Sequence, residues 1–600
     1  MAISGKSRNR LAIVSIALLV ILIGVMGVGE LLVKRPQQLY LTASGTVDMC
    51  LSCHTEEKLD SAHGADVIGC APCHLGNPLA IKKEDAHKGM TVNPGDLRMV
   101  DRTCSIEGCH PADVHKVKNS LMATNRGILG TLLYYWGESN SQNTDLTVEK
   151  LIESGQNSFA LDYYRKLCGT CHLWKQKNDI QEAPEFFKEK GGGCSACHFQ
   201  IPEEKTTAAQ SLVADTASVE KKNKKAHPHI TAKVDQTHCI RCHNRSGRIG
   251  LSYIGIFESE GYGTPYEKGE MTQKQLPGAR FYLEMADDIH HNKGMQCIDC
   301  HTRNEIMGDG NSYAHYEDQL EISCTVCHST SPGTTRKNNV LNNLVGTTDN
   351  PALKGKIDGA IRPLHPPRPG VCDFSAHKRV TCEACHSTWV PQCYGCHVKQ
   401  DKRGKHLDKL SIKETAGLWE EGRSYIRYEK PMLGIWENEV VIVTPGCQDM
   451  VTVVGEDGQD SGGFNRFTMA AINPHTTQKK GRECNDCHGS PKTLGLGEGT
   501  IYRQGGKLRF QSAAKGVATS IGQTVPLDAW VDIDGKQLQH GSRPNVRPFN
   551  GDELRKIVQV GFCADCHDSY QDPMWQKYTA DLACPATEKT SSVDTSTERE

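Results

Sequence analysis

The chain has 600 residues, with 69 basic against 71 acidic side chains, and a formal charge of −2 excludes a nucleic-acid binder built on a basic excess. That length calls for more than one ordinary domain. The apolar fraction, 37%, is thin for so long a chain, and its 27 cysteines and 26 histidines are too sparse for a small disulfide scaffold.

Residues 1–10 are basic through Lys6, Arg8 and Arg10 and are expected on the cytoplasmic side. Residues 11–33 follow, with Leu11 to Gly29 uncharged, and are expected to form a transmembrane anchor. The alternative is a cleaved signal peptide, for which no clear A-x-A site is present. On either reading the bulk of the chain is expected in a bacterial periplasm, anchored to the cytoplasmic membrane or exported if cleaved.

Twenty-four cysteines fall in pairs followed directly by His. Eleven pairs are C-x-x-C-H: Cys50/Cys53/His54, Cys70/Cys73/His74, Cys168/Cys171/His172, Cys194/Cys197/His198, Cys239/Cys242/His243, Cys297/Cys300/His301, Cys324/Cys327/His328, Cys382/Cys385/His386, Cys393/Cys396/His397, Cys484/Cys487/His488 and Cys563/Cys566/His567. The third motif along the chain is wider, Cys104/Cys109/His110 in C-x4-C-H. Two thiols three positions apart can add to the two vinyl groups of one haem, and the adjacent His then lies under the iron as proximal ligand. Zinc sites need further ligands and no His after every pair, and a thioredoxin-like site uses one pair. Twelve covalently bound haem c groups are therefore expected. Of the three cysteines left over, Cys372 and Cys447 are candidates for a disulfide or for structural thiols, and Cys584 stays unassigned.

Fourteen other histidines are available as second axial ligands. His63, His291, His315, His377 and His475 lie five to nine residues upstream of a motif and are the first candidates. His87, His115, His229, His290 and His540 follow, while His227, His238, His365 and His406 are weaker. Met122 reads as a core side chain rather than a ligand. An iron with His on both faces passes electrons, whereas one with an open face can bind substrate.

Motif spacing groups residues 34–201 around the first five haems and 227–400 around the next five, with the polar, lysine-bearing segment 202–226 as linker. The segment 114–136 is the best helix candidate, and 329–363 reads as a long loop. The insertion 401–483 has apolar runs at Val440–Val443 and Met450–Val454, which suggest a small β-containing region near 415–470. Residues 484–570 hold the last two haems, and 571–600 read as a disordered tail. The expected fold is mainly α and irregular coil packed around twelve haems, behind an N-terminal transmembrane helix. Gly495, Gly497 and Gly499 lack the spacing and context of a dinucleotide loop.

On its twelve motifs, across roughly residues 50–567, the chain resembles the multihaem c-type cytochromes of bacterial anaerobic respiration. An anchor ahead of haem motifs also looks like the membrane-anchored quinol-oxidising cytochromes. Those are smaller, with four or five haems and often a Met soon after the first motif, where this chain has Thr55, Glu56 and Glu57. The resemblance implies electron transfer from the membrane, with a quinone or a redox protein as donor, to periplasmic or outer-membrane acceptors. Its rivals are a multihaem reductase with one five-coordinate haem, acting on nitrite, hydroxylamine, sulfite or tetrathionate, and a subunit of a haem-stacking filament.

Overall fold

The computed structural model describes residues 13–25, 39–54, 59–178, 190–200, 227–245, 249–258, 275–276, 280–518, 524–564 and 566–577. The expected linker 202–226 and nearly all of the expected tail lie outside these residues, although Pro573–Lys577 within that tail is helical. The chain divides into two units, Met1–Thr91 and Val92–Glu600. In the first unit, one-turn helices at Met49–Ser52, Ala65–Ile68, Ala71–His74 and Lys83–Ala86 follow one another along connecting loops.

The second unit is dominated by a six-stranded mixed sheet. Its strands are β1 (Val390–Asp408), β2 (Lys413–Glu429), β3 (Met432–Trp436), β4 (Glu439–Val454), β5 (Asp460–Ala471) and β6 (His540–Gly541). The order is β2-β1-β4-β5-β6, with β3 also paired to β4. β1 and β4 run parallel, as do β5 and β6, while the remaining pairs are antiparallel. The two apolar runs read from the sequence are one strand, β4, whose register shifts between Pro445 and Gln448. Proline cannot donate to the ladder, so the irregularity falls there. β1 and β2 escape the apolar pattern because they form a charged hairpin, with Lys399 opposite Glu420 and their side chains 3.1 Å apart. Charged pairs of this kind suit an edge strand.

The expected fold class is therefore corrected. The chain is 29% helix and 25% strand, a mixed α and β fold rather than a mainly helical one. The β region is not a small insertion: it begins at Val390, inside the tenth motif's own neighbourhood, and its pairings reach Gly541. The expected loop 329–363 contains a three-stranded sheet, Leu344–Gly346, Pro351–Lys354 and Ile361–Pro363. The expected transmembrane helix is also overturned, because no helix among the described residues is long and apolar enough to cross a membrane. Residues 13–25 are helical, which spans roughly 20 Å at 1.5 Å per residue against about 30 Å of bilayer hydrocarbon. The rest of that expected span lies outside the described residues.

The segment 114–136 is helical as three pieces, α1 (Pro111–Asn119), α2 (Leu121–Thr124) and α3 (Arg126–Tyr135). Trp136, at the end of α3, packs on Tyr163, Phe159 and Phe464 with ring centroids 4.8, 5.3 and 5.3 Å apart, which joins the helices to the sheet. Beneath this cluster lie two buried ion pairs, Arg165 to Asp408 at 3.0 Å and Lys166 to Asp162 at 2.9 Å. Lys166 is fully buried and also donates to the Ala416 and Gly417 carbonyls at the β2 bulge, while Asp162 accepts from Trp419 Nε1 at 2.7 Å. These charges fix the segment leading into the fourth motif against the hairpin.

Asp162→Ala leaves the Lys166 ammonium buried without its counter-ion and should cost about 3 to 5 kcal/mol in a urea titration. An unchanged midpoint would show that the pair does not hold the interface. Asp449 accepts from Trp136 Nε1 at 3.0 Å, and burial pushes its carboxyl up to about 6. A raised carboxyl pKa favours folding below its unfolded value near 4 and loses that contribution as pH rises through about 6. Asp449→Asn should therefore raise stability at pH 7, on the order of 2 kcal/mol, and flatten the stability profile between pH 4 and 6. A profile parallel to the wild type would refute the assignment.

Candidate functional site

Eight of the motifs close alike at the backbone. In the first, second, fifth, sixth and twelfth, the His N–H donates to the first cysteine's carbonyl at 2.9 to 3.0 Å, closing one helical turn. The seventh and eighth close in the same way at 2.9 and 2.8 Å. The wider third motif reaches the same closure, with His110 N donating to Cys104 O at 2.9 Å, so its extra residues bulge outward. The ninth and eleventh are short helices, Cys382–His386 and Cys484–His488, and the fourth leaves a π-turn, Tyr164–Cys168.

The imidazoles are anchored through one nitrogen. Nδ1 of His74, His198, His328, His386 and His488 donates to the carbonyls of Thr91, Thr231, His365, Gln478 and Ile557 at 2.8 to 3.0 Å. His301 and His567 donate instead to Glu305 at 2.9 Å and Asp572 at 2.8 Å. A carbonyl or carboxylate can only accept, so Nδ1 carries the proton, and in the neutral ring Nε2 keeps its lone pair. Burial pushes Glu305 up, but the His301 contact and the backbone N–H groups of Ile322 and Glu321 outweigh it and hold its carboxyl below normal.

Four motif histidines face a second histidine across a gap. Ring centroids are 6.2 Å apart for His54 and His87, 6.2 Å for His301 and His475, 6.0 Å for His328 and His290, and 6.0 Å for His488 and His377. An iron with two axial nitrogens at about 2.0 Å, each about 1.1 Å from its ring centroid, needs roughly 6 Å between rings. Three of the facing histidines lie shortly upstream of one motif and face another. His290 precedes the seventh motif but faces the eighth, His475 precedes the eleventh but faces the seventh, and His377 precedes the ninth but faces the eleventh. His475 sits at φ 54, a conformation seldom taken without a constraint. Burial, then the neighbouring His488 ring, pushes His377 down to about 4, and burial likewise lowers His475, His328 and His488. All four are neutral at pH 7, the form a metal takes.

His172, in the fourth motif, is 4% exposed, and neither of its ring nitrogens has a hydrogen-bond partner. Burial, followed by Lys175 and Arg98, pushes it down to about 3. A buried imidazole with both nitrogens unmet fits a ligand to an iron on one of them. The donor set and the spacing of the facing pairs are thus those of haem. Burial also pushes the Cys197 and Cys300 thiols up to about 12.

Neighbouring motifs touch. Thiol hydrogen bonds join Cys104 to Cys194, Cys171 to Cys242, Cys239 to Cys297 and Cys324 to Cys382. The sixth motif's turn also meets its neighbours through polar contacts. His238 turns Nε2 to the Phe199 carbonyl at 3.3 Å, beside the fifth motif, and Gln236 N donates to Gln296 Oε1 at 3.0 Å, beside the seventh. The sixth therefore abuts the fourth, fifth and seventh. The eleventh and twelfth meet along α4 (Gly551–Ala564), where a Cβ on Gly561 would come 2.4 Å from the His488 carbonyl.

Not every motif residue is enclosed. Cys53, Cys109 and Cys566, the second thiols of the first, third and twelfth motifs, are exposed, and Cys73 of the second is half-buried. His243, which closes the sixth motif, is exposed as well, and its carbonyl lies 2.4 Å from where a Cβ on Gly250 would be. Among the described residues, the one cluster of three ligand atoms is Asp48 with Cys50 and Cys70. The structure thus gathers Cys53, Cys73, Cys109, Cys566 and His243 into no ligand cluster, and their expected thioether and iron-ligand roles rest on the motif alone.

Two motifs stand apart. The tenth lies extended in β1, with Cys393 packed against the Phe257, Trp389 and Ile426 cluster, Cys396 against the Trp136 and Trp419 cluster, and His397 exposed. Its thiols are not brought to one side by a turn. In the twelfth, Cys563 is 2% exposed and disulfide-bonded, so its sulfur must be released before it could join a vinyl group. Cys372 and Cys447 are exposed and neither is in a disulfide, so of the two readings offered for them the bridge is ruled out and the structural thiol stands; Cys584 lies outside the described residues.

The other candidate ligands are placed as follows. His63 and His291 hold Asp60 at 3.0 Å and Asp287 at 2.8 Å through Nδ1. His315 turns Nε2 to Asn143 at 2.9 Å, and its buried Nδ1 has no hydrogen-bond partner. His115 is exposed on α1, His229 pairs with Gln200 in a two-stranded ladder, and His540 lies in β6 with its ring 6.4 Å from Tyr135. The anchoring groups Asp288 and Glu305 were missed by motif reading, although Thr302 and Glu305 form a capping box whose spacing is visible in the sequence. No protein-family model, curated protein or solved structure matches the chain.

Proposed function

We propose that the chain is a multihaem c-type cytochrome that relays electrons between redox partners, either other redox proteins or a quinone, in a bacterial periplasm. The observation that carries this reading is the set of four facing imidazole pairs at 6.0 to 6.2 Å, each with one member in a motif. Haem, when bound, supplies a one-electron iron couple. The motif thiols would fix it covalently and His54, His301, His328 and His488 would hold one axial position. His87, His475, His290 and His377 would then close the other, which favours electron transfer over substrate binding at those sites. The Nδ1 contacts keep the rings oriented, and short contacts join the third motif to the fifth, the fourth and fifth to the sixth, the sixth to the seventh, the eighth to the ninth and the eleventh to the twelfth. The proposal counts twelve haems, and the tenth is the one whose strand would have to fold into a turn.

Mass spectrometry of the purified protein should read twelve covalent haems, or eleven if the strand at Cys393–His397 persists; a haem-free mass would refute the reading. Electron paramagnetic resonance of the oxidised protein should be low-spin at the paired sites. His475→Ala should open one axial face and add one equivalent of high-spin signal, and a spectrum identical to the wild type would sink the pairing of His475 with His301.

A further inference from the structure

Asp48 is an acidic side chain only 2% exposed, and it sits outside every motif. Its carboxylate accepts from three backbone N–H groups: Cys50 at 3.0 Å, Cys70, and Ala71 at 3.3 Å. It thereby caps the first motif's turn as N-cap and, 22 residues away in sequence, the start of the second motif's turn. A carboxylate oxygen and the Cys50 and Cys70 sulfurs all lie within 4.8 Å of one another. The fit is close: Gly69 runs at φ 80, and a Cβ there would come 2.5 Å from Asp48 Oδ2. One carboxylate therefore determines how far apart the two leading thiols stand, and it places a desolvated negative charge between them.

We infer that Asp48 is the positioning residue for the first two haem sites, clamping the turns of Cys50 and Cys70 side by side and holding both irons at low potential with its buried charge. This rests on the haem reading above. A buried anion favours the oxidised, more positive iron, because little solvent screens it. The first pair is then an electron-releasing pair, fixed by a residue that neither binds iron nor forms a thioether. The same carboxylate could hold a metal ion with the two thiols, but that would consume the sulfurs the motifs use, and its own lone pairs are already engaged by three N–H donors.

The test compares full-length holoprotein with Asp48→Asn and, as control, Asp85→Asn, which neutralises an exposed carboxylate in the same unit. Haem on the peptides that span Cys50–His54 and Cys70–His74 is counted by mass, and reduction is followed by potentiometric titration of the haem absorbance. Asp48→Asn should keep both haems and make two of the one-electron components about tenfold easier to reduce, a rise of about 59 mV each, with the others and the control unmoved. Loss of haem from these two peptides alone, restored by Asp48→Glu, would equally bear out the clamp. Full haem content with titration curves superimposed on the wild type would overturn it. Absence of haem from both peptides in the wild type would instead defeat the proposed function, so the two failures are distinguishable.

Discussion

A neutral imidazole, held by one nitrogen and facing another imidazole across about 6 Å, is the constraint on which this molecule turns. The far nitrogen of each ring must stay unprotonated and unbonded, and that requires a fixed acceptor for the near one. In seven motifs the acceptor is a carbonyl or carboxylate from elsewhere in the chain. At His328 and His488 burial also disfavours the imidazolium. Thin apolar composition is consistent with this plan: side chains need not fill space that a porphyrin would occupy.

The sheet serves the same end from a distance. Its charged hairpin would be a poor strand alone, yet it is tied to the segment entering the fourth motif by Arg165 with Asp408 and Lys166 with Asp162. Buried ion pairs contribute little net stability compared with apolar packing, but leaving one charge unmatched is costly, so they enforce one arrangement. The sixth motif, touching three others, depends on that arrangement because its neighbours arrive from both sides of residues 202–226. The eleventh and twelfth are drawn together by close backbone approach at Gly561 and by the Ile557 carbonyl on His488.

The motifs and the bulge expected in the C-x4-C-H variant could be read from residues alone. So could helix in 114–136 and strand in 440–454, where apolar periodicity is strong. The hairpin of β1 and β2 could not, since its residues alternate charge rather than hydrophobicity and only pairing makes them a sheet. The exposure of Cys53, Cys109, Cys566 and His243 could not either, because a motif states which residues share a turn and not which side of the turn faces solvent. The expected membrane-spanning helix is not matched because the helix described there covers residues 13–25, too few to cross a bilayer.

Sequence by itself determined which residues can bind: paired thiols three apart with an adjacent His are a local chemical unit, complete within five residues. Only the tertiary structure decided which second histidine meets each of the four. His290, His377 and His475 each lie near one motif in the chain and face a different one, because the upstream segment is carried away from its own turn by the connecting backbone. It also decided that Asp48 joins two motifs and that Cys393, Cys396 and His397 lie stretched in a strand. Chain proximity governs the turn; the facing imidazole and the buried cap are set by packing between segments up to 174 residues apart, the separation of His475 from His301.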